Sequence, residues 1–142
     1  DRATLVADAV RMRREIAAHK PPNGPFDIKL GEGGLVDLEF AVHVLQLREA
    51  TAFTPRLGAA IGELIARQLL PPGIAAAHAL LTRMLVTFRL VSPTSAEPAG
   101  ESRALVARAC GLDDWDSLLA AHAEARQTIA ATWRDVAAAE EQ

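Results

Sequence analysis

The chain has 142 residues, a formal net charge of −3 at pH 7 and a hydrophobic fraction of 50%. That length is ordinary for one domain and is sufficient to bury a core. Aromatic residues make up only 4% of the chain and tyrosine is absent, whereas alanine, leucine, arginine and glutamate are abundant. This composition favours helices over sheet. The weakly acidic balance argues against a nucleic-acid-binding surface of the basic kind.

The single cysteine, Cys110, excludes an internal disulfide and a metal site built from several cysteines. Its neighbours in sequence are apolar, so a buried thiol is favoured over a nucleophile. No stretch has the uninterrupted apolar length of a membrane span, and a reducing cytoplasm is therefore the expected compartment. Because the chain starts inside a helical pattern, we expect that it is a single domain from a longer protein.

Apolar residues recur at helical spacing in six stretches, which proline- and glycine-rich breaks separate. The predicted helices cover residues 3–19, Leu35–Glu49, 55–69, 74–90, 101–110 and a last stretch that starts at Asp113 or Asp114. We expect Pro55 to open the third helix and Gly111 to cap the fifth. Short connections favour antiparallel neighbours. The predicted fold is thus all-α, a bundle of five or six antiparallel helices with a glycine-rich loop before the second helix.

Further predictions concern two segments between the helices and three individual side chains within them. Residues 26–30 alternate between apolar and charged side chains, which is a weak signal for a short strand. Residues 91–100 form a polar, proline-rich break. Trp115 and Trp133 are expected to anchor the core rather than form a ligand platform. His43 lies on a largely apolar helix without a second ligand one turn on, so we expect a packed histidine rather than a metal ligand.

The most unusual stretch lies between the first two predicted helices, where three glycines fall within four positions beside a lysine and several carboxylates. Gly31, Gly33 and Gly34 give a backbone that can turn sharply and approach another group closely. The stretch leads into a helix N-terminus, which favours anions. It matches neither a phosphate-binding loop nor a dinucleotide-binding loop. On the residues alone, an ordinary joint between two helices is the favoured interpretation.

Residues 27–40 read Asp-Ile-Lys-x-Gly-x-Gly-Gly-x-x-Asp-x-Glu-Phe. This pattern resembles the signature of the helical domain in the glutamine synthetase adenylyltransferases, bifunctional enzymes that add AMP to glutamine synthetase and remove it. Related helical domains occur in the uridylyltransferases of the PII signal protein. The resemblance extends to the arginine-rich segment 11–13, to the helix around residues 46–47, and to the tail with Trp115 and Trp133, which is similar to the end of the adenylylating half.

The resemblance implies that the chain, residues 1–142, is one helical domain of a larger enzyme and lacks that enzyme's nucleotidyltransferase domain. The parent would transfer AMP from ATP to a tyrosine of glutamine synthetase, with Mg²⁺ held by carboxylates of the missing domain. The family's combined Gly-Ser and Asp-x-Asp pattern is absent here, so we expect no catalytic residue and no metal site in this chain. The implied partners are glutamine synthetase, the PII protein and the nucleotidyltransferase domain, but no nucleic acid and no membrane.

The resemblance also implies a position for the glycine-rich stretch, which would face the bound nucleotide as this domain closes the active-site cleft. The nucleotide-facing residues would be Lys29, Gly31, Gly33 and Gly34, with Lys29 supplying positive charge near phosphate.

Carboxylates and arginines complete the predicted site. Asp27, Asp37 and Glu39 would structure the loop, since Asp37 and Glu39 lie two residues apart on a helix and cannot easily chelate one metal. Arg11 and Arg13 would contact phosphate or an acidic partner through their forked donors, or else lie on a solvated face. The alternative for the whole domain is a regulatory docking module that binds PII or glutamine synthetase. Family members often carry glutamine at the position of His43, which leaves a role for this side chain open.

Overall fold

The computed structural model describes residues 1–91 and 96–138 of the chain. Within those residues it contains six α-helices and no strand. The helices are α1 (Arg2–His19), α2 (Leu35–Glu49), α3 (Leu57–Ala66), α4 (Gly73–Val91), α5 (Gly100–Ala109) and α6 (Trp115–Ala138). The predicted all-helical class is confirmed, whereas antiparallel packing throughout stays a prediction. Residues 92–95 of the predicted polar break lie outside the described residues.

Capping residues account for several helix ends. Asp1 precedes α1 and accepts a hydrogen bond from the Ala3 N–H. Asp114 accepts one from the Ser117 N–H at 2.7 Å immediately before α6, as expected of an N-cap acid. Gly111 follows α5 with a φ of 86°, the left-handed conformation typical of a glycine that caps a helix C-terminus. The predicted end of the fifth helix and the predicted start of the last one are confirmed.

The strand predicted for residues 26–30 is wrong, because these residues form turns. The Asp27 carboxylate accepts hydrogen bonds from the N–H groups of Lys29 and Leu30 at 3.2 and 3.0 Å. Such local bonds from an aspartate to the following backbone compete with extended structure. An alternating pattern over five residues did not reveal this competition.

The third helix is shorter than predicted. It begins at Leu57, two residues after Pro55, and ends at Ala66 rather than near residue 69. The helix stops because Gln68 adopts a φ of 60°, which the right-handed helical conformation does not allow. The apolar spacing continues through this turn, so the periodicity alone placed the end too late.

The core lies where α2, α4 and α6 pack together, and α6 also contacts α1 and α5. The least exposed large side chains of these three helices are Leu38, Leu45, Ile74, Leu81, Met84, Leu118 and Ile129. Trp133 packs edge-on against Phe40, with ring centroids 5.9 Å apart, and Trp115 lies 5.7 Å from the ring of Phe26. Both tryptophans are core anchors, as predicted, and Cys110 is buried.

The predicted packing of His43 is wrong, since this side chain is exposed. Glu39, His43 and Leu47 are all exposed and follow one another at intervals of four, so they form one open stripe along α2. The second helix is therefore covered on several sides but not all round. The histidine that packs inside the domain is His122 of α6, which is buried.

One helix requires a correction about membranes. By length and composition alone α4 is long and apolar enough to cross a membrane, with a mean hydropathy of 1.5 over its most apolar window, of which 28% is buried. The prediction that no stretch has this character was wrong in that respect. One such helix is weak evidence, because the core helix of a globular domain meets the same criterion. In this fold α4 packs against α2, α3, α5 and α6.

Candidate functional site

The glycine loop, residues 27–34, is the second half of the connection between α1 and α2 and ends at the start of α2. Its first half is organised by the carboxylate of Asp27, which is buried. That carboxylate accepts hydrogen bonds from the N–H groups of Asn23 at 2.9 Å, Lys29 at 3.2 Å and Leu30 at 3.0 Å. One side chain therefore holds the backbone on both sides of itself, and the prediction that Asp27 structures the loop agrees with this arrangement.

The charge state of Asp27 follows from the same contacts. Burial alone would raise the pKa of this carboxyl group, but the three backbone donors outweigh it and the Arg126 charge acts in the same direction as the donors. The pKa of Asp27 therefore lies below its ordinary value, because hydrogen bonds to the charged form favour that form. At neutral pH the loop is organised around a carboxylate rather than a carboxylic acid.

The second half of the loop is held by Asp37, in the first turn of α2. Its Oδ2 accepts a hydrogen bond from the Gly33 N–H at 2.7 Å, and its Oδ1 lies 2.5 Å from Nε of Arg13 on α1. Arg13 also donates from Nη2 to the Leu30 carbonyl at 3.2 Å. Arg13 is only 8% exposed. This arginine therefore ties the first helix to the loop, rather than lying on the surface.

A third contact comes from α6 and was missed by the sequence analysis. Arg126 donates from Nη1 to the Glu32 carbonyl at 2.9 Å and from Nη2 to the Asp27 carbonyl. Its Nε donates to Nε2 of His122, one helical turn earlier, at 2.8 Å. No local signal could have identified Arg126, because it lies 94 and 99 positions from the residues that it binds.

His122 is the acceptor that completes this arrangement. Burial lowers the pKa of His122 to about 4, and the adjacent Arg126 charge acts in the same direction. The imidazole is therefore neutral at pH 7, and its Nε2 accepts the hydrogen bond from the Nε–H group of Arg126. The ring also stacks on that of Phe26, with centroids 5.9 Å apart, which links the start of the glycine loop to α6.

The three glycines are explained by packing within the domain. A Cβ on Gly31 would lie 2.6 Å from Nη1 of Arg126, and one on Gly33 would lie 2.1 Å from the Arg126 backbone oxygen. Gly33 also has a φ of 72°, which L side chains rarely adopt. A Cβ on Gly34 would lie 2.7 Å from the carbonyl oxygens of Ile28 and Lys29. The close approach that these glycines permit is an approach to α6 and to the loop itself.

The N-terminus of α2 is likewise occupied by its own chain. The N–H groups of Leu35 and Val36 donate to the carbonyls of Ile28 and Lys29 at 2.9 and 3.1 Å, and that of Gly34 donates to Gly31. These are donors that an anion would need at a helix N-terminus. Because the loop uses them, the start of α2 is not an open anion site in this structure.

The remaining predicted residues lie at the surface. Lys29 is exposed, and its ammonium makes no hydrogen bond or ion pair within residues 1–91 and 96–138. Arg11 is exposed and pairs with Asp8 at 3.0 Å, one turn away on α1. Glu39 is exposed on α2, and its side chain has no hydrogen bond within the described part of the chain. The structure thus brings Asp27 and the three glycines together with the buried Arg13–Asp37 pair. The side chains of Lys29, Arg11 and Glu39 lie outside this network.

A groove of about 500 Å³ lies beside the loop, between α1 and α2. Apolar and polar or charged side chains line it: Met12, Ile16, Leu30, Val36 and Phe40, then Glu15, His19, Lys20 and Glu39. Its volume is within the range of small-molecule sites. Among the described residues no cluster of three or more histidine, cysteine, aspartate or glutamate side chains is placed to hold a metal ion.

Comparison with known proteins yields one family and several relatives. Residues 8–137 match the family described as GlnD PII-uridylyltransferase. The chain is 35% identical, over 92% of its length, to a bifunctional glutamine synthetase adenylyltransferase/adenylyl-removing enzyme of Caulobacter vibrioides. It is 33% identical, over 78% of its length, to the enzyme of the same name from Brucella suis. The chain spans only 14% and 12% of these two relatives. Since the family match covers nearly the whole chain, the chain belongs to the GlnD PII-uridylyltransferase family.

Proposed function

We propose that this chain is the helical domain of an enzyme that transfers AMP from ATP to a tyrosine of glutamine synthetase. The names of the two relatives that align over most of the chain support this substrate and this reaction. The chain spans about one-seventh of the Caulobacter relative. In our proposal the ATP and Mg²⁺ that the parent needs are bound by a separate nucleotidyltransferase domain, and this domain is not catalytic alone.

Within the parent, the helical domain would close the nucleotide cleft and present Lys29 to phosphate. The observation that carries this proposal is the exposure of Lys29 on a loop in which Asp27, Ile28 and the three glycines are buried. A side chain on a backbone that is already ordered loses less entropy when it binds a ligand. Gly31, Gly33 and Gly34 would shape the loop, Asp27 would organise it, and only the ammonium would reach the nucleotide.

A second candidate function is a docking module for PII or glutamine synthetase. The groove between α1 and α2 supports it, because Met12 is 51% exposed beside an apolar lining. The exposed charge of Arg11 on the same helix would then meet an acidic partner. On this alternative the glycine loop is only a joint, and Lys29 has no part in AMP transfer.

The experiment that separates the two is AMP transfer by the parent enzyme with Lys29→Ala. We expect the rate to fall by about a hundredfold to a thousandfold, as for the loss of one preorganised donor at a developing charge. The helical circular dichroism should not change, because the side chain is exposed and unpaired. Arg67→Ala, an exposed cation at the end of α3, is the matched control. An unchanged rate in Lys29→Ala would favour the docking module.

A further inference from the structure

We infer that Arg126 is the positioning residue for Lys29: its guanidinium clamps both ends of the segment 27–32 to α6 and thereby determines where the Lys29 ammonium is presented. The inference rests on the proposed function, in which that ammonium meets the nucleotide. It assigns a role to a residue that lies outside the sequence motif.

The clamp has two points of attachment on the loop. One arm of the guanidinium binds the Asp27 carbonyl and the other binds the Glu32 carbonyl at 2.9 Å. Lys29 lies between these two residues, so the chain on either side of it is fastened to the same side chain. A displacement of the guanidinium would therefore free the whole segment rather than one end.

A short relay connects the clamp to Lys29. Arg126 holds the main chain of Asp27, and the side chain of Asp27 accepts the Lys29 N–H at 3.2 Å. One residue therefore separates Arg126 from the backbone of Lys29. The Lys29 side chain itself is exposed. These two hydrogen bonds therefore fix the backbone of Lys29 and leave its ammonium free to bind.

The chemistry of the site favours arginine over lysine. A guanidinium presents its donors in a planar fork, whereas an ammonium is a compact charge on a flexible stem. Arg126 uses the fork on three different acceptors, two loop carbonyls and Nε2 of His122. Gly31 leaves the space that the fork occupies, since a Cβ there would lie 2.6 Å from Nη1.

Arg134 provides a matched comparison on the same helix. Its Nη1 lies 3.6 Å from Oε1 of Glu32 in the loop, but the two side chains are 66% and 83% exposed. Exposed ion pairs of this kind contribute little, because water and salt screen them. Arg134 therefore reaches the same loop with the same functional group through one exposed contact, whereas Arg126 makes three hydrogen bonds, two of them partly buried.

The test uses the parent enzyme with Arg126→Lys, and with Arg134→Lys as the control. Deuterium exchange of residues 27–34, followed by mass spectrometry, reports on the loop, while kcat/KM for ATP and the KM for glutamine synthetase report on function. We expect faster exchange in Arg126→Lys and a kcat/KM for ATP lowered by about tenfold to a hundredfold, as for a misplacement on the order of 1 Å. The KM for glutamine synthetase should stay unchanged, and Arg134→Lys should resemble the wild type in every measurement.

Two results would overturn the inference: unchanged exchange in Arg126→Lys, or faster exchange with unchanged ATP kinetics while Lys29→Ala impairs transfer. If Lys29→Ala has no effect either, it is the proposed function that fails, and the exchange data still decide whether Arg126 clamps the loop. Should Arg126→Lys not fold, Gly31→Ala provides the second variant. Its methyl group displaces the guanidinium without changing Arg126, and the same changes in exchange and in kcat/KM for ATP are expected.

Discussion

Arg13 of α1 and Asp37 of α2 form a buried ion pair, with Nε 2.5 Å from Oδ1 and side-chain exposures of 10% and 5%. Each partner also binds the glycine loop, since Asp37 accepts the Gly33 N–H and Arg13 donates to the Leu30 carbonyl. The pair therefore joins two helices and the loop between them. A charge-assisted contact at such a junction has consequences for stability that an exposed pair would not have.

The first prediction concerns the loss of one partner of this pair. Asp37→Ala should lower the free energy of unfolding by about 3 to 5 kcal/mol, because it leaves the buried guanidinium of Arg13 without its counter-charge. Urea unfolding followed by circular dichroism measures this change. The matched control is Asp8→Ala, which removes an exposed pair with Arg11 and should cost less than about 1 kcal/mol. Equal losses in the two variants would contradict the prediction.

The second prediction compares two glycines. Gly33→Ala introduces a side chain at a φ of 72°, where its Cβ would lie 2.1 Å from the backbone oxygen of Arg126. The left-handed conformation alone costs alanine about 1 to 2 kcal/mol. Displacement of α6 adds to this cost, so the free energy of unfolding should fall by more than about 2 kcal/mol. The same urea titration measures the effect.

Gly62 is the control for this comparison. It lies within α3, and nothing is within 4 Å of a Cβ added there. Gly62→Ala should raise the free energy of unfolding by about 0.5 to 1 kcal/mol, because alanine is the better helix former. Both substitutions replace a glycine by an alanine, but they should change the free energy of unfolding in opposite directions. A loss below about 1 kcal/mol in Gly33→Ala would show that α6 yields easily to the loop.

These comparisons indicate what the sequence could reveal about the fold. The bounds of α2 agree with the prediction at both ends, because glycines precede its apolar pattern and the helical spacing of apolar residues is lost between Ala50 and Pro55. The end of α3 depends on the backbone conformation of Gln68, which no periodicity expresses. Likewise, His43 and His122 both lie among apolar residues, but only the packing of the helices decides that His122 is the buried one.

The candidate site was predictable only in part, for a related reason. The glycines indicate that something approaches the backbone closely, but not what approaches it. In the folded domain that partner is Arg126, nearly a hundred positions further along the chain. The sequence around Arg126 does not distinguish it from the other charged residues of α6. The organising role of Asp27 was predicted from the family resemblance alone, since the alternating pattern of residues 26–30 indicated a strand rather than a turn.

The third prediction concerns the reactivity of Cys110. Burial raises the pKa of this thiol, although a hydrogen bond with Thr87 and the charge of Arg83 act in the opposite direction. Since the thiolate is the reactive form, alkylation by iodoacetamide at pH 7 should be slow in the folded protein. It should accelerate across the urea unfolding transition. A rate in water equal to that in denaturant would contradict the burial of this residue.

The fourth prediction is a pH dependence of stability that arises from His122. In the unfolded chain this histidine binds a proton below about pH 6.5, whereas in the folded domain burial, with the adjacent Arg126 charge, lowers its pKa to about 4. Between these values the unfolded state binds more protons, so the free energy of unfolding falls as the pH falls from about 6.5 to 4. The full loss is on the order of 3 kcal/mol. Urea titrations at several pH values measure it.

His122→Gln tests whether this histidine is the source of the slope. The amide oxygen of glutamine can still accept a hydrogen bond from Nε of Arg126, but glutamine does not titrate, so the slope between pH 6.5 and 4 should flatten. Part of the slope should remain, because burial also lowers the pKa of His78, although the charge of Glu39 acts to raise it. Below pH 3.8 both proteins should lose stability in parallel as Asp27, whose pKa is lowered in the fold, is protonated. Equal slopes between pH 6.5 and 4 in the variant and the wild type would mean that His122 is not buried in its neutral form against Arg126.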